Sequence, residues 1–187
     1  MKPYVKIDMV PSLVAQISDE INDYVSTHTN YYQTGALGWQ FLNTIELLSQ
    51  CPELLKFFKE KNLLVRNSAI TISINNDQLP IHIDEAPVIA KINFPVAYTA
   101  GWVNRWYKIS EEQLAQCPRV LNQFKKEIID LSGIKEAEVI AELQDMKHPI
   151  VFNSSIPHSV IKLSDSIIAP RVVASFTFHK EPLEWLK

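Results

Sequence analysis

The triplet His82-Ile83-Asp84 sets a nitrogen donor and an oxygen donor two residues apart. On a strand, residues i and i+2 point to the same face, so His82 and Asp84 project together while Ile81 and Ile83 turn into apolar packing. A further imidazole, His158, opens another β-like run in Asn153-Ser154-Ser155-Ile156-Pro157-His158-Ser159-Val160. Two imidazoles and one carboxylate on one face of a metal leave positions open for other ligands, a donor set suited to ferrous iron. A His-x-Asp triplet alone is common, and it describes a surface hydrogen bond equally well. The conjunction with His158, and with Arg171 thirteen residues beyond it, carries more weight. A planar guanidinium is the natural partner of a carboxylate, through two parallel charge-assisted hydrogen bonds. A surface ion pair is the plain alternative for Arg171.

These residues need strands to hold them. From Arg171 to Phe178 the chain alternates: Arg171, Val173, Ser175 and Thr177 share one face, and Val172, Ala174, Phe176 and Phe178 share the other. The second face is wholly apolar and is expected to meet packed helices. The first carries a guanidinium and two hydroxyls and is expected to line a cavity. Period-two alternation also marks 65–75 and 81–84, and 87–94, 101–109, 139–143, 150–153, 158–163 and 171–179 read as further strands. Helical spacing opens the chain, with Leu13, Ile17, Ile21 and Tyr24 on one face and Ser12 as the expected N-cap. It returns over about 39–49, 53–61 and 110–131, the last with a break at Cys117-Pro118. The chain therefore reads as a single domain over 1–187. Residues 1–62 form a helical support, 63–180 a β core, and about 110–132 a helical insertion. Strands that do not alternate with helices exclude a doubly wound parallel sheet and indicate a mainly β jelly roll or barrel with flanking helices.

Composition narrows the function classes. The 187 residues are 47% hydrophobic and 21% charged, with a net charge of −3, which excludes disorder as the dominant state. The densest basic run is Lys125-Lys126, too little to displace counterions from nucleic acid, so a nucleic-acid partner is not expected. No apolar stretch approaches a membrane span, and the first twenty residues hold no apolar signal core. A cytoplasmic protein is expected. Cys51 and Cys117 fit a reducing compartment, each standing before a proline at an expected helix end.

At this point the pattern His82-x-Asp84, His158, Arg171 resembles the Fe(II)/2-oxoglutarate-dependent oxygenases. The resemblance covers about residues 65–180 and rests on order and spacing. It implies a double-stranded β-helix, the cupin-like form of the jelly roll, with Fe(2+) held by His82, Asp84 and His158. It also implies 2-oxoglutarate as co-substrate, its far carboxylate held by Arg171, and O2 as the oxidant. Lys91-Ile92-Asn93-Phe94-Pro95 is similar to a strand in aspartyl/asparaginyl hydroxylase-like and prolyl hydroxylase-like members. There a basic residue can touch the co-substrate, which makes Lys91 and Asn93 pocket candidates; a solvated charge is the other reading of Lys91. The hydroxyl expected two residues after the arginine is replaced by Val173, and Ser175 offers one later. The reaction so implied is hydroxylation of an amino-acid, peptide or small-molecule C–H bond, with release of succinate and CO2.

Other residues are candidates of lower rank. Trp102 and Trp106 either wall the substrate pocket or fill the core. Tyr31, Tyr32, Gly35 and Gly38 suggest a lid over about 31–38 near Trp39. Asn153 and Ser154 are candidate hydrogen-bond partners of the metal ligands. His28 is expected at a helix end, His148 in a loop and His179 at a sheet end. A non-catalytic cupin-like module binding a metal or small acid, and a partner-binding protein with an accidental His-x-Asp, remain the alternatives.

Overall fold

The computed structural model describes residues 1–29, 38–73, 81–84, 88–121, 127–131, 133–134, 137–167 and 170–187. Among these, twelve strands form two facing antiparallel sheets of six. The first sheet runs, in spatial order, β1 (Tyr4–Lys6), β10 (Ile150–Asn153), β5 (Ala90–Ala97), β12 (Arg171–Phe178), β3 (Val65–Ser73) and β2 (Gly38–Leu42). The second runs β7 (Arg119–Leu121), β8 (Glu127–Asp130), β4 (His82–Asp84), β11 (His158–Lys162), β6 (Trp102–Lys108) and β9 (Glu138–Gln144). This is a jelly roll of the double-stranded β-helix type, mainly β with flanking helices.

Helices α1 (Pro11–His28), α2 (Thr44–Gln50) and α3 (Pro52–Glu60) cover one face of the first sheet. Ile17, Ile21, Leu47, Leu54 and Phe58 pack there against Ile70, Ile92, Phe94, Ala174 and Phe176. Phe58 meets four rings at centroid distances from 5.0 to 6.1 Å, namely Phe57, Phe94, Phe176 and Phe178, mostly edge to face. Such pairs are favoured by the ring quadrupoles beyond their buried area. The opposite face of the same strands carries Thr71, Lys91, Asn93, Arg171 and Ser175 and looks toward the second sheet. The alternation of β12 thus separates a dry helix-facing side from a polar interior, as its sequence indicates. A smaller cluster of Trp106, Leu143, Met146, Ile150, Phe152 and Val173 closes the space between the sheets beside that interior.

Three expectations need correction. Residues 39–42 belong to β2, not to a helix, and pair with β3 from Trp39↔Thr71 to Leu42↔Ser68. The alternation Trp39, Gln40, Phe41, Leu42 suits a strand, and helix begins only after Asn43, whose side chain accepts from the Glu46 amide. Among the described residues of the insertion near 110–132, helix is confined to α4 (Glu111–Gln116), held by a capping box of Ser110 and Gln113. Beyond Cys117-Pro118 the chain forms β7 and β8, and β8 pairs with the ligand strand β4 at Ile83↔Ile129. Tertiary pairing there overrides helical spacing, helped by two adjacent β-branched residues. Finally, Pro11 opens α1 with Val10 at the N-cap, so Ser12 lies inside the first turn.

The front of the chain also supplies β1, which the hydrophobic pattern did not indicate. It pairs with β10 and stacks Tyr4 on Trp106 at 4.8 Å. Cys51 and Cys117 are free thiols at helix ends, and burial pushes Cys51 up to about 12. No helix among the described residues is long and apolar enough to cross a membrane.

Phe58→Ala should lower stability by about 3–5 kcal/mol, because it empties the junction between α3 and the first sheet. Urea denaturation checks this, and a loss below about 1 kcal/mol would contradict the packing described.

Candidate functional site

The site lies between the sheets. Strand β4 supplies His82 and Asp84 from the second sheet, held between β8 and β11. His158 stands directly opposite His82 in the β4·β11 pairing. The two rings lie 4.4 Å apart at their centroids, and His82 Nε2 is 3.7 Å from Asp84 Oδ1. One ligand atom from each of His82, Asp84 and His158 falls within 4.8 Å of the others. Two nitrogens and one carboxylate oxygen converging so closely fit a first-row divalent metal.

The protonation states suit that role. The Nδ1 of His158 lies 2.8 Å from the Ile156 carbonyl oxygen. A carbonyl oxygen only accepts, so Nδ1 carries the proton and Nε2 keeps its lone pair for a ligand. Burial, with His82 beside it, pushes the His158 imidazole down to about 3, so it is neutral at ordinary pH. Burial works to raise the Asp84 carboxyl, but the Lys91 ammonium beside it wins and holds it well below the usual carboxylate range. Lys91 Nζ donates to Asp84 Oδ2 at 2.5 Å and lies 4.9 Å from the centre of the Phe152 ring.

The first sheet supplies the other wall. Arg171 is 3% exposed, and its Nη2 donates to Asn104 Oδ1 at 3.0 Å. Its Nε and the Asn104 Nδ2 have no hydrogen-bond partner among the described residues. No described carboxylate forms an ion pair with Arg171, and burial alone pushes it down to about 10. A buried cation that lines a pocket, with one donor unmet and no described carboxylate beside it, is suited to receive an anion. Beside it, Ser175 Oγ donates to Asn93 Oδ1 at 2.7 Å.

One pocket therefore gathers His82, Asp84, His158, Arg171, Lys91, Asn93 and Ser175, all seven metal or co-substrate candidates from the sequence. Trp102 and Trp106 are not among its lining residues. Both are buried, and Trp106 packs behind Phe152 at 5.1 Å while Phe152 itself faces the pocket. Asn153 and Ser154 do not touch the ligands. Asn153 donates to the Lys2 carbonyl and Ser154 to the Val88 carbonyl, so both secure backbone rather than imidazoles. The proposed lid falls on residues 31–37, which lie outside the described residues, and on Gly38, which opens β2. Its neighbour Trp39 does line the pocket. His28 ends α1, where its Nδ1 meets the Tyr24 carbonyl.

Asn104 is the pocket residue that the sequence reading missed. Its signal is a lone amide between Trp102 and Trp106 on one face of β6, where an apolar residue would be expected. Thr71, from β3 of the first sheet, lines the pocket on the Arg171 side.

No protein-family model matches the chain, and no curated protein matches it in sequence. Solved structures do. HygX from Streptomyces hygroscopicus, solved with iron bound, is 8% identical; the match covers 94% of this chain and 81% of that one, with a TM-score of 0.50. ThoJ, a non-heme monooxygenase solved as a nickel complex, is 13% identical over 94% and 72% of the two chains, at a TM-score of 0.48. A prolyl-4-hydroxylase from Pseudomonas putida is 10% identical over 97% and 89%, at 0.44. At 8% identity the likeness to HygX concerns the fold alone.

Arg171→Met should leave stability within about 1 kcal/mol of the native value, because relief from burying the guanidinium offsets the lost bond to Asn104. Chemical denaturation without added anions checks this. A loss of several kcal/mol would show that the guanidinium serves the fold instead.

Proposed function

We propose that the protein is an Fe(II)- and 2-oxoglutarate-dependent dioxygenase. The carrying observation is that the His82, Asp84, His158 group and the buried Arg171, whose Nε has no partner among the described residues, line one pocket. Either feature alone has a simpler reading. Together they provide a place for a divalent metal and a separate buried cation for an organic acid, which is the need of a co-substrate that chelates at one end and carries a carboxylate at the other.

When bound, iron(II) supplies the redox chemistry by which O2 oxidises 2-oxoglutarate to succinate and CO2 and places one oxygen atom in a C–H bond of the substrate. The residues of this chain position and shield. His82, Asp84 and His158 would hold the metal from one side and leave the pocket side open. The Ile156 carbonyl fixes the His158 ring so that its free nitrogen faces the metal position. Arg171, oriented by Asn104, would hold the far carboxylate of the co-substrate before oxygen arrives. Ser175 and Asn93 line the same wall and tie β12 to β5 through their hydrogen bond. Phe152, Val160 and Val173 make the remaining walls apolar, which limits water near the reacting groups. Trp39 lies at the pocket's β2 side and is the candidate contact for a small-molecule or peptide substrate.

Native protein given Fe(II), ascorbate, O2 and 2-oxoglutarate should release succinate above the protein-free background even without a substrate. His82→Ala and Asp84→Ala should abolish this release. Arg171→Ala should raise the 2-oxoglutarate requirement by about tenfold or more, the scale of one or two charge-assisted hydrogen bonds. Equal succinate release from native and His82→Ala proteins would refute the reading.

A further inference from the structure

The carboxylate of Asp84 is shared. Oδ1 faces the imidazoles, 3.7 Å from His82 Nε2, while Oδ2 accepts from Lys91 Nζ at 2.5 Å. The two partners come from different sheets, Asp84 from β4 and Lys91 from β5, so the ion pair also ties the sheets together at the site. Lys91 is not a solvated surface charge: its side chain is 19% exposed, and its ammonium group also lies near the face of Phe152. Asn93, two residues on, shares its face and is fixed by Ser175. The strand that carries Lys91 is therefore anchored on both sides, by β10 and β12.

We propose that Lys91 is a positioning residue that holds Oδ2 of Asp84, leaves Oδ1 as its single ligand oxygen, and so keeps divalent-metal binding at this site weak. The inference rests on the metal-centre reading above and adds to it the control of affinity. Two physical effects act in one direction. An ammonium group on the far oxygen bars the carboxylate from closing on a metal with both oxygens, which preserves open positions for other ligands. It also sets a fixed positive charge beside the place of a second one, and in a half-buried setting that repulsion is poorly screened. Without a metal, the same ammonium group stabilises the fold by partnering a carboxylate that would otherwise be buried alone. Lys91 thus favours the metal-free protein and disfavours metal loading, and removing it should move the two properties in opposite directions. A merely structural lysine would weaken both.

The test uses the native full chain and the variants Lys91→Met, Lys91→Gln and Lys91→Arg, each stripped of metal and checked for folding by circular dichroism. Anaerobic titration with Co(II) gives the affinity, and thermal unfolding of the metal-free forms gives the stability. Lys91→Met and Lys91→Gln should bind Co(II) at least tenfold more tightly than native protein and melt several degrees lower without metal. Lys91→Arg, which keeps the charge, should stay within about threefold of native affinity. Equal or weaker binding in the neutral variants would overturn the inference while leaving the metal centre standing. Failure of every folded form to bind Co(II) would overturn the metal centre and the inference with it. Should Lys91→Met not fold, the polar Lys91→Gln decides between these results.

Discussion

The pairing of His82 with His158 across β4 and β11 is the constraint on which the site depends. Strand β4 is only three residues long, and its two ends are both ligand candidates. A slip of one residue would turn both side chains out of the pocket, since strand side chains alternate with period two. Register is fixed on both sides of β4. β11 lies on one side, and β8 pairs residue for residue on the other, His82↔Asp130, Ile83↔Ile129 and Asp84↔Ile128. The late strand β8 is thus a brace for the ligand strand.

The first sheet meets the same problem on its own side. Each inner strand must be apolar toward the helices and carry polar groups toward the pocket, and β12 and β5 achieve this by alternation, with Val173 the apolar exception on the pocket side of β12. The aromatic cluster around Phe58 fills the helix side with edge-to-face contacts. On the other side sits a costly group: Arg171 is buried, and among the described residues its side chain hydrogen-bonds the neutral Asn104. A cation in such surroundings lowers stability unless an anion joins it. The tension between fold and ligand is local to one pocket, as expected where function and stability compete.

Much of this was legible in the sequence, for identifiable reasons. His82, Asp84, His158 and Arg171 stood out because each is a polar residue in a strongly alternating apolar context. The same alternation located β3, β5, β6 and β12. What was not legible came from tertiary pairing. β8 looks helical by spacing and becomes a strand because β4 offers it an edge. β2 gives up helix for the edge of β3. Asn104 was overlooked because the two tryptophans that flank it drew the reading, and those tryptophans proved to be buried packing beside the site. The partner of His158 was likewise invisible, since it is a backbone carbonyl, which no side-chain motif can announce.

The most direct test of the central claim is an anaerobic titration of metal-free protein with Fe(II) and then with 2-oxoglutarate, following visible absorption. The account predicts a charge-transfer band that grows with 2-oxoglutarate, is absent from His82→Ala, and needs far more co-substrate in Arg171→Ala. A folded native protein that shows no band, at concentrations of both partners well above those of the protein, would contradict it and leave a metal- or acid-binding module as the better description.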